Sequence, residues 1–424
     1  MGEQLLVFDG CEAFAVGDES LGKGVKHKNI RRTAFGTLTK FHYLLASYQW
    51  MGNAASSDEN RDVKPDTGMP ILLKNQTSSQ LHASLAQVGV SPHLARRLLA
   101  SALKRGELPA LGGHLNAQLR ARLLALTEIP HLTRMQKVVS PQDGFAKYLF
   151  RGRGDGQFEA VRIPLLHRPD DLKYVACVSS QVGCAMGCVF CATGRMGFGR
   201  NLAAWEIVDQ VVQMQADSAH PIGGVVFMGM GEPMLNYEAV MTAIQILSEP
   251  CGMAIAAKAI TLCTVGIIPG IRRFTAEGHR ARLVVSLTSA DPLQRRELLP
   301  VEQRYSTPDL IQALREYHAV SGQRVTLAWT MISGVNVSEA DARRLADLTR
   351  GLPIKLDLID VNDPTGRFRP PSRTELEAFR DALRAHLAMP VVRRYSGGQD
   401  IHGACGMLAG GQLETAPVAD APPA

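Results

Sequence analysis

The sequence predicts an α/β fold: a partial (βα)6 TIM-like barrel preceded by a small N-terminal helical unit. Three observations carry this reading. From 174 to 387 the chain repeats one order, an apolar strand, a polar or glycine-rich turn and an amphipathic helix. Its strands are nearly continuous apolar runs, as in Val225-Val226-Phe227 and Leu283-Val284-Val285, which suits a parallel sheet covered on both faces. Before them, 80–126 places Leu81, Leu85, Leu94, Leu98 and Leu99 at helical intervals.

In chain order, 1–75 is a poorly ordered extension and linker, rich in Gly, Asn, Asp and Ser around 54–67. Residues 76–134 form the helical unit, with Ser91-Pro92 opening a helix. Arg96, Arg97, Lys104, Arg105, Arg120 and Arg122 on its polar faces make it a candidate RNA-binding accessory domain. Residues 135–172 hold a β-hairpin, alternating over 146–150 and 158–163 about Gly152, Gly154 and Gly156. The barrel and a C-terminal cysteine loop occupy 173–411, and the Pro- and Ala-rich 412–424 reads as a disordered tail. Strands are expected at 174–179, 223–228, 258–263, 282–287, 324–331 and 354–360. Helices are expected near 203–216, 236–249, 268–277, 307–320, 338–350 and 373–387. Right-handed crossovers put the helices outside and the chemistry at the C-terminal strand ends.

With 424 residues, 46% of them hydrophobic, the chain can bury an ordinary core. No run of eighteen apolar residues occurs, and no basic segment followed by a hydrophobic one opens the chain. Neither a membrane span nor a signal peptide is therefore expected, and the cytoplasm is the default. The net charge of +6 is modest, but basic residues gather at 23–32, 96–105, 120–134 and 393–394, which suits a polyanionic partner as well as a solvated surface.

Four of the eight cysteines, at 177, 184, 188 and 191, fall within fifteen residues. Cys184, Cys188 and Cys191 can turn three sulfurs from one tight loop toward a common centre. A structural zinc wants four ligands, and no second Cys or His pair at knuckle spacing follows. A cubane iron–sulfur cluster accepts three thiolates and keeps one iron open. This spacing is that of radical S-adenosylmethionine (SAM) enzymes, with a chance cluster or labile zinc loop as the alternative.

Other small polar residues end the strands: Gly229-Met230-Gly231-Glu232-Pro233, Cys263-Thr264, Ser286-Leu287-Thr288 and Asn362. Each alone could be turn furniture; together they mark one face. The glycine turn lets backbone approach a ligand, and Glu232 can accept hydrogen bonds from an amine. Cys405 sits among Gly403, Gly406 and Gly397-Gly398, in backbone that reads as flexible and accessible.

The run Cys177-Val-Ser-Ser-Gln-Val-Gly-Cys184, the cysteine loop, Gly197-Phe198-Gly199-Arg200-Asn201-Leu202, the Gly-Met-Gly-Glu-Pro turn, Thr264-Val265-Gly266 and Ala404-Cys405-Gly406 resemble the RlmN/Cfr family of radical SAM RNA methyltransferases. The resemblance spans about 80–411. It implies a radical SAM barrel with a [4Fe–4S] cluster on Cys184, Cys188 and Cys191, and SAM held by Gly231, Glu232, Cys263, Ser286, Thr288 and Asn362. It further implies methylation of an adenine carbon, C2 or C8, in rRNA or tRNA by a ping-pong route. One SAM methylates Cys405, and a second is cleaved to a radical that takes hydrogen from the S-methyl group. Cys177 then resolves the adduct as a transient disulfide with Cys405, and Glu159 is the proton acceptor. A reductase or flavodoxin-type electron donor, an RNA partner and a monomer complete the implication.

The chain departs from the family where Cys263 and Thr288 replace serine and histidine, where Gly397-Gly398-Gln399-Asp400 replaces an acidic run, and where Val361 and Asp363 flank Asn362. Cysteine and threonine still offer hydrogen bonds to SAM. Substrate choice is the open point: the runner-up is the same chemistry on another RNA or a non-RNA aromatic, and a non-catalytic cluster-bearing RNA-binding protein is the reading from another class.

Overall fold

The computed structural model describes residues 69–165 and 171–411, and the backbone of 11–14. An eleven-stranded sheet is its centre. The strands are β1 (Cys11–Phe14), β2 (Thr133–Val139), β3 (Ala146–Arg151), β4 (Gln157–Leu165), β5 (Lys173–Cys177), β6 (Ile222–Phe227), β7 (Ile260–Thr264), β8 (Arg282–Ser286), β9 (Val325–Met331), β10 (Ile354–Asp360) and β11 (Val391–Arg394). Their spatial order is β1-β11-β10-β9-β8-β7-β6-β5-β4-β3-β2. From β5 to β11 neighbours are parallel; β2, β3 and β4 form an antiparallel meander beside β5, and β1 pairs antiparallel with β11. This is an α/β sheet with a parallel centre, and all six expected parallel strands form within two residues of their expected ends.

The helices are α1 (Ser78–Leu85), α2 (Pro92–Lys104), α3 (Ala117–Leu126), α4 (Ala192–Met196), α5 (Ala204–Ala216), α6 (Tyr237–Ser248), α7 (Ile268–Ala276), α8 (Pro292–Leu298), α9 (Thr307–Ser321), α10 (Glu339–Leu348) and α11 (Arg373–His386). Their starts are written locally: Ser91 caps α2 ahead of Pro92, and Ser338 and Ser372 form capping boxes with Asp341 and Glu375. Each cap contributes about 1 kcal/mol.

Register sorts the two faces of the parallel strands. Val225, Ile260, Leu262, Leu283, Val285, Leu327 and Leu356 occupy the outward positions and are buried, each contributing roughly 1.5–3 kcal/mol. The inward set is different in kind: Cys177, Val226, Thr261, Val284, Thr326, Ala328 and Asp357 line a cavity of about 870 Å³. Small and polar side chains leave room where a closed TIM barrel would be packed solid.

Five elements were not expected, among them β1, which lies in the stretch read as a poorly ordered extension, and the short α4 that follows Cys191. β2 is exposed along almost its whole length, so no burial pattern marks it. β11 has only Val391 and Val392 as apolar residues, and α8 is two turns long. The meander therefore has three strands where the alternation suggested a hairpin.

The described chain from Pro70 onward is one compact unit. The N-terminal helices are stitched to the barrel by buried polar groups: Lys74 Nζ meets Asp209 Oδ1 at 2.6 Å with both side chains fully buried, and Asp209 Oδ2 accepts from Leu132 N at 2.7 Å. Leu73 and Lys74 are completely buried, so the folded part begins nearer residue 70 than 76. Apart from the backbone of 11–14, the rest of the expected extension, the basic run at 23–32 and the tail lie outside the described residues. Arg393 and Arg394 form no free basic patch, since they bind Asp360 at 2.8 Å and Asp357 at 2.8 Å.

Candidate active site

The cysteine loop is folded tightly onto itself. Cys184 N donates to Gly197 O at 2.8 Å, and Cys191 N donates to Cys188 O at 3.1 Å as α4 begins. A Cβ on Gly194 would stand 3.0 Å from Cys188 N and O, so only glycine lets the turn close. Cys184 and Cys188 are buried and Cys191 is half-buried. Burial pushes the Cys184 thiol up to about 12, with the charges of Glu232 and Cys191 adding to it. Burial, then Cys191 and Cys184, also holds Cys188 well above the ordinary thiol range. Thiols this dry ionise only against a bound cation, which a metal cluster supplies. Among the described residues no three His, Cys, Asp or Glu side chains close around a single ion. The donor set of three thiols on one loop fits a [4Fe–4S] cluster.

Beside the loop lies the glycine turn after β6. Gly231 has φ +100°, and a Cβ there would meet Gln181 at 2.6 Å. Gln181 Oε1 in turn accepts from Glu232 N at 2.9 Å. Glu232 is buried and accepts from Val265 N at 2.9 Å and Met234 N at 3.0 Å. Desolvation outweighs these bonds and raises its carboxyl to about 7. Its charge is felt by Cys184, Cys188 and Cys263 together, so it bridges the cysteine loop and the ends of β7 and β8. There Cys263 Sγ and Ser286 Oγ are 3.5 Å apart.

Thr288 is fully buried at φ +60°, and its Oγ1 has no hydrogen-bond partner. A β-branched residue in the left-handed region with an orphaned hydroxyl is strained and unsatisfied together, as at ligand sites. These features fit a small polar ligand such as SAM over the strand ends.

The Cys405 segment is not the loose loop that its glycines suggested. After β11 it crosses toward the meander, where Asp143 Oδ2 accepts from Gly398 N at 2.8 Å and Tyr395 Oη at 3.2 Å. A Cβ on Gly397 would lie 2.4 Å from the Phe145 ring, which accounts for glycine there. Gln399 Nε2 donates to Asn362 Oδ1 at 2.8 Å, and Asn362 Nδ2 donates to Cys405 O at 3.3 Å. Asn362 thus serves the cysteine segment. Ala192 N donates to Gly406 O at 2.7 Å, and Thr193 Oγ1 to Leu408 O at 2.5 Å, tying the segment to α4. Asp363 pairs with Arg195 of the cysteine loop at 3.2 Å.

The segment ends on Glu159, whose Oε2 accepts from Ala409 N at 2.7 Å and Gly410 N at 3.1 Å. Glu159 Oε1 pairs with Lys147 Nζ at 3.1 Å, with the two side chains 3% and 7% exposed. Read without the family, a strand carboxylate here would be expected at the surface; instead it anchors a buried network. Cys177 and Cys405 line the same cavity. Burial, and then each other's neighbourhood, hold Cys177 far above the usual thiol range. Cys405 has accessible surface facing that cavity, and burial followed by the nearby Cys191 raises its thiol to about 11.

The fold therefore brings Cys184, Cys188, Cys191, Glu232 and Cys263 into mutual reach, and Cys405 between Cys191 and Cys177. Lys147, Asp143, Gln181 and Gln399 also build the site. No local motif marks them: Asp143, Gln181 and Gln399 act across more than 35 residues of sequence, and Lys147 meets Glu159 only through the pairing of β3 with β4.

A family model described as the radical SAM superfamily matches residues 178–346. A probable RNA methyltransferase of Myxococcus xanthus is 46% identical over 359 residues, covering 83% of this chain and 98% of that protein. The dual-specificity RNA methyltransferase RlmN of Syntrophotalea carbinolica is 38% identical over 352 residues, covering 82% and 92%. The crystal structure of a radical SAM methyltransferase from Sphaerobacter thermophilus superposes with a TM-score of 0.73 at 38% identity, covering 80% of this chain and all of that one. With this identity and coverage on a matching barrel, the chain belongs to the RlmN family of radical SAM RNA methyltransferases.

Proposed function

We propose that this radical SAM RNA methyltransferase methylates an adenine carbon, C2 or C8, in rRNA or tRNA by a ping-pong route through Cys405. The observation that carries the reading is the position of Cys405: its segment bonds to Ala192 beside Cys191, and its thiol shares a cavity with Cys177. Relatives named dual-specificity RNA methyltransferases support more than one RNA target.

Cys184, Cys188 and Cys191 would hold the [4Fe–4S] cluster, and Gly231, Glu232, Cys263, Ser286, Thr288 and Asn362 would surround SAM. When bound, these groups would supply a hydrogen-abstracting radical, which an aromatic carbon requires because it is too weak a nucleophile to displace a methyl group directly. Cys405 sulfur carries the carbon to be transferred. Once the adduct has lost its odd electron, which the bound cofactor would take back, and its ring proton, the Cys177 thiolate attacks that sulfur. The sulfur–carbon pair stays with the departing carbon, which takes up a proton to become the methyl group, and a Cys177–Cys405 disulfide forms. Glu159 accepts the proton from the adduct carbon, and to do so it must first release Ala409 and Gly410.

The reading includes a reductase or flavodoxin-type electron donor, a monomer and a cytoplasmic setting. No helix among the described residues is long and apolar enough to cross a membrane. Mass spectrometry of rRNA and tRNA nucleosides from a deletion strain should show loss of one methyladenosine. In the purified Cys405→Ala enzyme, iron content and SAM binding should persist while methyl transfer stops; continued product formation refutes the two-stage transfer.

A further inference from the structure

The cavity that holds Cys177 and Cys405 also reaches the opposite end of the barrel. Three strands begin their inward face with a cation, Lys173 before Val175 and Cys177, Arg282 before Val284, and Lys355 before Asp357 and Ile359, and Arg324, just ahead of β9, stands in the same way before Thr326 and Ala328. Lys258, just ahead of β7, joins them. Lys258, Arg282 and Arg324 line the cavity and are also exposed, so the cavity opens to solvent at the N-terminal strand ends. Lys173 pairs with Asp171, and Lys355 with Asp357 at 2.9 Å. Among the described residues Lys258, Arg282 and Arg324 have no carboxylate partner. The only carboxylate in the cavity wall is Asp357, which Arg394 and Lys355 already share.

This end of a barrel usually serves stability and is plugged. An opening ringed by five cations, three of them without a carboxylate partner among the described residues, and leading to two thiols is an electrostatic funnel for a small anion. On the other side the Cys405 segment roofs the cavity, with Gly403, Ala404, Cys405 and Leu408 in its wall. Cysteine thiols that have joined in a disulfide must be reduced before another turnover, and a bound RNA would lie over the C-terminal strand ends.

We propose that the basic mouth admits a small anionic thiol, one bearing carboxylate or sulfonate groups, which reduces the Cys177–Cys405 disulfide from the side opposite the RNA. The inference rests on the disulfide step proposed above. The entering thiolate attacks one sulfur of the disulfide, forming a mixed disulfide and expelling the other cysteine, which takes up a proton. A second molecule of the same thiol cleaves the mixed disulfide. Two electrons pass to the protein, both cysteines return as thiols, and the reductant leaves as its own disulfide.

The test compares 2-mercaptoethanesulfonate with cysteamine as reductants of the oxidised full-length enzyme, reading Cys177 and Cys405 by alkylation and mass spectrometry. The anionic thiol should be favoured, beyond its preference for an unstructured disulfide, and Lys258→Glu/Arg282→Glu/Arg324→Glu should lower that preference by about tenfold. The corresponding Gln triple variant should fall between, and high salt should erase the difference. In parallel, the rates of iodoacetate and iodoacetamide at Cys405 of the reduced enzyme probe the route without needing any disulfide. Ratios that charge reversal leaves unchanged in both assays overturn the inference. A charge-dependent iodoacetate ratio with no disulfide found after turnover would instead refute the disulfide step and the reductant role with it, leaving only an anion port.

Discussion

Replacing Glu159 with Gln tests the anchor of the reactive segment directly. Glu159 carries three buried contacts, to Lys147 at 3.1 Å, Ala409 N at 2.7 Å and Gly410 N at 3.1 Å. The amide keeps the shape and one acceptor oxygen but removes the charge. Lys147 would then be a buried cation without a partner, at a cost of about 3–5 kcal/mol. Each charge-assisted bond to the 409–410 backbone also weakens, by about 1 kcal/mol. The first arm of the assay is urea denaturation, in which Glu159→Gln should lose about 5–7 kcal/mol and Glu159→Gln/Lys147→Met should recover the larger share of it, because an unpaired charge is worse than an apolar pair. The second arm is hydrogen exchange of the amides at 409 and 410, which should accelerate at least tenfold in both variants, since neither retains the carboxylate. Unchanged exchange at those two amides would refute the anchoring role and leave Glu159 to chemistry alone. Methylation should fall in both variants.

Three further outcomes follow from the same site. Replacing any one of Cys184, Cys188 or Cys191 by Ser should abolish the visible cluster absorbance after anaerobic reconstitution, measured together with bound iron. Glu232, raised by burial to about 7 from an ordinary 4.5, keeps a proton in the folded state that the unfolded chain has already released. Stability of the metal-free, SAM-free protein should therefore fall as pH rises from about 4.5 to about 7 and level off above, by up to about 3 kcal/mol; Glu232→Gln should flatten that slope in urea titrations at each pH. Thr288→Gly removes an orphaned hydroxyl and a left-handed β-branched residue, so the melting temperature should hold or rise by about 1 kcal/mol equivalent while SAM binding weakens in titration calorimetry. A stable variant with unaltered SAM affinity would separate Thr288 from the ligand.

The strands β5 to β10, the six long helices after them and the cysteine loop were legible because their signals are local: apolar runs, capping serines and sulfurs three to seven residues apart. β2 and β11 escaped because an exposed edge strand and a two-valine strand bury too little to leave a pattern. The sequence by itself determined that the sulfurs of Cys184, Cys188 and Cys191 sit on one short loop, since their spacing is local. Only the tertiary structure decided that Glu159 and Lys147 clasp the Cys405 segment, that Asn362 is bound to Gln399, and that cations ring the far end of the same cavity as Cys177. Those pairings join residues up to 251 positions apart, so the contact energies exist only once the sheet has curved and closed the distance.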